Sequence, residues 1–250
     1  MMTSIFLLLG LAGGSFLNVV IFRLNKKKPF LKGRSFCPHC QSKIVWYDNI
    51  PLLSFLLLGG RCRQCQKSIS WQYPLVELAT AIIFVWLYLS FGLSIKFFIY
   101  LILSCFLIII FVYDLKYYLI LDKVVGPAMV IAFLANLYLG LGFWNLILGA
   151  LIGSSFFALQ FYLSQGKWVG GGDIRLGALM GLMLGWKILL VALFLAYLIG
   201  AGFGLILIAL NKKKMSSQIP FGPFLVAATF ISLVYGPSLL RWYLNLIYYY

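Results

Sequence analysis

The chain has 250 residues, 63% hydrophobic and only 10% charged, with a mean hydropathy of +1.02, and no soluble domain of this length needs so much apolar surface. Its net charge of +15 would fit a nucleic-acid partner, but the basic residues fall mainly in short connections between apolar runs. That pattern is one of membrane topology and not of a phosphate-binding face, so the expected partner is lipid and no nucleic acid.

Apolar runs of spanning length occupy residues 3–22, 75–91, 96–113, 124–140, 144–163, 174–187, 188–210 and 221–247. They predict an all-α polytopic membrane protein with about eight transmembrane helices. The seam lies at Gly185-Trp186-Lys187. As one helix, residues 174–210 would reach about 55 Å, well beyond a hydrocarbon thickness of about 30 Å, so two short helices are expected there.

Eight spans leave residues 23–74, 114–123, 164–175 and 211–220 on one side of the membrane. Seventeen of the 20 Lys and Arg lie in these segments, and only Lys96, Lys187 and Arg241 lie on the other side. By the positive-inside rule the first side is cytoplasmic and both termini lie outside. Residues 3–22 are followed by positive charge instead of being preceded by it, which orients them as an anchor and not as a cleaved signal peptide.

The expected organisation is a first transmembrane helix at 1–24, a cytoplasmic zinc-binding segment at 25–73 and a transmembrane helical domain at 74–250. The middle segment carries Cys37-Pro38-His39-Cys40 and Cys62-Arg63-Gln64-Cys65. Two such knuckles supply four thiolates for a tetrahedral Zn²⁺. A pair of disulfides is the alternative, but the cytosol is reducing. A four-thiolate site has no open position, so the metal should be structural. His39 is then a loop residue, and Cys105, alone in an apolar span, a packing residue.

Only five acidic side chains occur, Asp48, Glu77, Asp114, Asp122 and Asp173. Asp114 and Asp173 stand at the ends of membrane-length runs, where a carboxylate costs up to about 3 kcal/mol at mid-membrane and is a functional-site candidate. Asp173 closes Gly170-Gly171-Gly172-Asp173, whose glycines allow a sharp turn and leave room for another chain. Both acids should emerge on the cytoplasmic face.

The inventory excludes most other hydrolytic mechanisms. The one histidine sits in a cysteine knuckle, where it cannot serve an intramembrane Ser or Cys nucleophile. There is neither an H-E-x-x-H metalloprotease motif nor a nucleotide-phosphate loop. Paired aspartates remain. They must share a proton so that one, ionised, activates water while the other, neutral, donates to the scissile carbonyl. Tertiary packing has to bring Asp114 and Asp173 together, and Gly177, Gly181 and Gly185 mark a helix face for close approach.

Asp122 is the rival partner for Asp114, but eight helical positions would separate them by about 12 Å, and a positioning role is expected instead. Asp48, in Trp46-Tyr47-Asp48-Asn49, reads equally as a turn residue or a functional acid. Glu77 follows Pro74 and is expected to cap a helix start.

The chain resembles the type IV prepilin peptidases, bacterial GxGD aspartic intramembrane proteases. The resemblance rests on seven blocks in order: GSFLNVVIFRL at 14–24, CPHC with WYDNIPLLSF at 46–55, GRCRQC at 60–65, ISWQYPLVEL at 69–78, DLKYYLILD at 114–122, GGGDIRL at 170–176 and IPFGPFL at 219–225. It implies cleavage of prepilin or pseudopilin leaders, for pili, competence or type II secretion, with Asp114 and Asp173 as the pair. It also implies N-methylation by S-adenosylmethionine, for which no binding residues are identified. The same resemblance ties Gly14, Asn18, Asp48 and Glu77 to substrate handling or methylation, and places Gly172 and Asp122 beside the catalytic pair. Leu121 and Asn25 stand where the family commonly has proline, and Arg175 where it has lysine, which leaves only local loop geometry open. Two other classes remain: a proton- or cation-coupled transporter using the same acids, against which the lack of an internal hydropathy repeat argues, and a non-enzymatic membrane assembly factor docking through the zinc segment.

Overall fold

A computed structural model describes residues 1–27, 29, 33–210 and 219–248. Lys28, Lys32 and Lys212 to Lys214, counted above on the cytoplasmic side, lie outside the described residues. The elements are α1 (Met2–Asn25), a 3₁₀ turn (Trp46–Asn49), α2 (Leu53–Leu57), α3 (Gln72–Phe91), α4 (Ile95–Tyr117), α5 (Asp122–Tyr138), α6 (Phe143–Ser164), α7 (Gly171–Ala209) and α8 (Gly222–Tyr248). Among the described residues there is no strand, only two isolated antiparallel bridges.

Six of the helices, all but α2 and α5, are long and apolar enough to cross a membrane. The protein is therefore a multi-pass membrane protein. Helix α5 has 17 residues, about 26 Å of rise, just under one hydrocarbon thickness. Helix α7 has 39 residues and is broken at Gly185, whose φ of 71° and ψ of 166° are not helical. With that break, eight helical segments stand where eight apolar runs were read.

The chain forms two compact units, Met1–Ile109 and Ile110–Tyr250, the boundary falling inside α4. In the first unit α1 and α3 meet along small residues. A Cβ on Gly10 would lie 2.5 Å from the Ala81 Cα, and one on Gly14 2.6 Å from the Glu77 Cα. Residue numbers rise along one helix as they fall along the other, so the pair is antiparallel, joined by the cysteine-bearing segment.

In the second unit the first half of α7 packs backbone to backbone on α6. A Cβ on Gly177 would lie 2.5 Å from the Gly153 carbonyl oxygen, and one on Gly181 2.1 Å from that of Gly149. This is the glycine face the sequence marked, and its partner is a matching pair of glycines.

At Gly185 the chain reverses. Phe157 of α6 lies against Gly177 and its ring centroid is 6.2 Å from that of Phe221. Tyr197, on the second half of α7, has its ring 4.9 Å from the same Phe221. A straight helix would carry Tyr197 about 30 Å beyond Gly177, so the two halves form a hairpin. Helix α8 then runs back along the second half, with Gly236 against Ile188 and Gly200 against Phe224.

A reversal frees helix-end carbonyls and amides that lipid cannot satisfy. Two buried or half-buried asparagines take their place. Asn136 Nδ2 donates to the carbonyls of Leu182 (2.8 Å) and Met183 (3.0 Å), and Asn145 Oδ1 accepts from the Trp186 N–H at 3.2 Å.

Gly181→Ala should therefore lower the melting temperature, since its Cβ has no room against backbone atoms and overpacking costs about 1–3 kcal/mol. Gly202→Ala, with nothing within 4 Å of the added carbon, should leave it unchanged or slightly raised; equal melting curves for the two variants in detergent would contradict the backbone contact.

Candidate active site and metal centre

The four knuckle cysteines come together in the first unit. Each loop is a tight turn closed the same way: the N–H of Cys37 donates to the Ser42 carbonyl and that of Cys62 to the Lys67 carbonyl, both at 2.9 Å. Gln41 and Gln66, one residue past each second cysteine, both take left-handed φ, 57° and 56°. The two loops are thus one motif used twice. Their Sγ atoms all lie within 4.8 Å of one another, and Cys37 Sγ is 3.9 Å from Cys65 Sγ.

A tetrahedral zinc with bonds of about 2.3 Å to sulfur sets neighbouring sulfurs about 3.8 Å apart, so the residues fit that metal. All five cysteines are unbridged. The Ser42 hydroxyl, with the Ser42 backbone, holds the Cys40 thiol down at about 6, which favours the thiolate a metal needs. His39 is exposed and outside the cluster, as a loop residue should be. Asp48 forms a two-toothed pair with Arg63, Nε to Oδ2 at 2.9 Å and a second N–H to Oδ1 at 2.7 Å. The Arg63 hydrogen bonds hold its carboxyl below the usual carboxylate range, and the pair ties the 3₁₀ turn to the second knuckle.

Asn18 and Glu77 are both buried in the first unit. Asn18 Nδ2 donates to the Tyr73 carbonyl (3.1 Å) and its Oδ1 accepts from Gln72 (3.2 Å). Glu77 does not cap its helix. Helix α3 begins at Gln72, so Glu77 sits in its second turn, and Oε2 instead accepts the N–H of Leu52 at 2.9 Å. Leu52 is in the left-handed region, φ 58°, a strained conformation for a bulky residue that the carboxylate helps to hold. These polar side chains bond within the protein itself.

Asp114 and Asp173 meet in the second unit. Asp114 is in the last turn of α4 and Asp173 in the first turn of α7, each only 6% exposed. Both line one cavity of about 460 Å³, together with residues 118–120, 166–172 and 219–221. Asp173 Oδ2 accepts the N–H of Gly170 (2.9 Å) and the Asp173 N–H donates to the Gly170 carbonyl (3.0 Å). An acid so placed also faces the positive end of its own helix.

The glycine run does not make the turn. Gly170 is extended, φ −80° and ψ 154°, and the left-handed positions are Gln165 and Gly166. The run provides proximity instead: a Cβ on Gly172 would lie 2.8 Å from the Ile120 Cβ. Likewise a Cβ on Gly222 would lie 2.5 Å from Asp114 Oδ2. Gly222 belongs to the IPFGPFL block, which sequence reasoning quoted without a role; the structure places it on the carboxylate.

Asp122 lies outside the pair. Its side chain is 70% exposed and forms an ion pair with Arg175, which itself lines the cavity. Leu121 is extended, with φ −85° and ψ 127°.

Comparison with known proteins matches residues 8–91 to the Bacterial Peptidase A24 N-terminal domain and residues 101–205 to the Type IV leader peptidase family. Relatives named prepilin leader peptidase/N-methyltransferase include one from Aeromonas salmonicida, 37% identical over 98% of this chain and 94% of its own. One from Pseudomonas aeruginosa is 35% identical over 96% and 92%, and one from Bacillus subtilis 33% identical over 98% and 99%. No solved structure matches the chain.

Purified protein should carry about one zinc per chain by elemental analysis. Cys62→Ser should lose it and unprotect residues 33–71 in hydrogen exchange, whereas His39→Ala should keep both metal and protection.

Proposed function

Since the chain belongs to the type IV leader peptidase family, we propose that it cleaves the leader peptides of type IV prepilins or pseudopilins with Asp114 and Asp173. The carrying observation is that two buried carboxylates on two helix ends line one cavity. One carboxylate, ionised, takes a proton from water as the oxygen attacks the scissile carbonyl carbon. The other, protonated, donates to the carbonyl oxygen. Collapse of the tetrahedral intermediate breaks the C–N bond, and the proton taken from water passes to the leaving nitrogen. The pair titrates as a unit, and only its singly protonated form is competent.

The positive-inside count supports a position for this cavity on the cytoplasmic face of the bacterial cytoplasmic membrane. Residues 25–73 form the cytoplasmic zinc-binding segment and residues 74–250 carry the peptidase helices. Zinc, held by Cys37, Cys40, Cys62 and Cys65, supplies structure and no catalysis. The relatives' names support methylation of the new N-terminus as a second activity, with S-adenosylmethionine as methyl donor. Asp122 acts as a positioning residue: through Arg175 it holds the segment whose Ile120 rests on Gly172. Gly14, Asn18, Asp48 and Glu77 shape the segment between α1 and α3. The transport and docking alternatives have no comparable support.

Mass spectrometry of a co-expressed prepilin should show leader loss with wild type. Asp114→Asn and Asp173→Asn should each slow cleavage by about 10²- to 10⁴-fold while inserting normally; full cleavage by either variant would end the two-aspartate reading. The added mass of one methyl group on the cut product reports the second activity. Asp122→Asn should reduce kcat/KM only about 2- to 5-fold, the worth of an exposed ion pair, and a loss as deep as that of Asp114→Asn would move it into the pair.

A further inference from the structure

The reversal at Gly185 builds a second site in the unit that holds the aspartates, at the other end of its helices. Trp186 and Lys187 sit at the turn, beside Asn145 at the start of α6, whereas Gly171 lies by Phe161 near the end of α6. A cavity of about 650 Å³ opens there, lined by Asn145, Trp186, Lys187, Pro237 and Arg241 among others. A further cavity of about 750 Å³ shares Trp186, Lys187 and Leu240 with it and continues along Leu190, Phe194 and Trp242.

The charges are unusual. Of the three cations that the topology places on this face, two, Lys187 and Arg241, line one cavity. None of the chain's five acidic side chains lines either cavity. A lone interfacial lysine needs no partner, because it can reach water. Two cations converging on one cavity repel one another and create a local demand for an anion.

We propose that the paired cavities bind an anionic phospholipid of the leaflet opposite the aspartates. The headgroup phosphate lies between Lys187 and Arg241, and an acyl chain lies along Leu190, Phe194 and Trp242. The guanidinium fork suits phosphate oxygens, while the lysine acts as a point charge. Lys187 Nζ stands 5.5 Å from the Trp186 ring centroid, and Arg241 Nε donates to the Pro237 carbonyl at 3.3 Å, which holds both side chains to the cavity wall. An indole such as that of Trp186, which lines both cavities, belongs at headgroup depth. A free phosphate would use the cations but not the apolar groove that continues from them, and Phe194 and Trp242 are 67% and 64% exposed along that groove.

The test is native mass spectrometry of the full-length protein equilibrated with equimolar dioleoyl phosphatidylglycerol and dioleoyl phosphatidylcholine. Wild type should retain the anionic lipid over the zwitterionic one by about fivefold or more, the scale of one or two basic contacts. The double variant Lys187→Gln, Arg241→Gln should lose that preference, and Lys96→Gln should keep it. No preference in wild type, which needs no variant to fold, would overturn the proposal, as would an unchanged preference in the double variant. Displacement of the lipid by inorganic phosphate alone would make this a phosphate site and overturn it too. Should the double variant fail to fold, Arg241→Lys with Lys187→Arg must retain the preference.

Discussion

A helix that ends inside a protein leaves backbone groups that need partners there, and the first half of α7 ends in this way at the buried Gly185. Asn136 satisfies two of the freed carbonyls and Asn145 the amide that restarts the helix. With the ends served, the chain can reverse after a half-length helix. Asp173 then stands at the start of that half-helix, and Tyr197 returns on the second half to meet Phe221, the residue next to the glycine that touches Asp114. The cavity lined by Lys187 and Arg241 at the other end of this unit follows from the same reversal.

Absent side chains do most of the positioning. Gly149, Gly153, Gly177 and Gly181 let two backbones touch, where van der Waals packing can hold helices together without a hydrophobic drive. Near the acids the same device recurs with a different purpose. Gly172 admits Ile120 and Gly222 admits the Asp114 carboxylate, so three connections converge on two carboxylates while a cavity stays open between them. Side chains at these positions would collide with Ile120 and with the Asp114 carboxylate.

The cysteine segment solves a different problem. It is too short to bury a core of its own, and its four clustered cysteines offer a metal site in place of one. The two knuckles repeat one turn geometry down to the left-handed glutamine that follows the second cysteine of each. The Asp48–Arg63 pair and the Glu77–Leu52 contact fix the stretch between the knuckles and α3. Polar side chains here serve the protein's own backbone.

Much was legible in the residues. Length and hydropathy located the helices, because a bilayer of fixed thickness demands runs of fixed length. Scarcity singled out Asp114 and Asp173, since a carboxylate near lipid is too costly to keep without use. Cysteine spacing identified the knuckles, because chain geometry alone brings residues three apart to one metal. What stayed hidden depends on which helix meets which. Glu77 binding Leu52, Gly222 touching Asp114, and the asparagines serving the Gly185 break join residues 25 to 108 positions apart, and local pattern carries no record of such pairings. The sequence by itself determined the spans, the scarce acids and the cysteine knuckles, for these follow from transfer cost and ligand chemistry one residue at a time; only the tertiary structure decided that Asp114 and Asp173 line one cavity and that α7 reverses at Gly185, because close approach is a property of two surfaces and not of one.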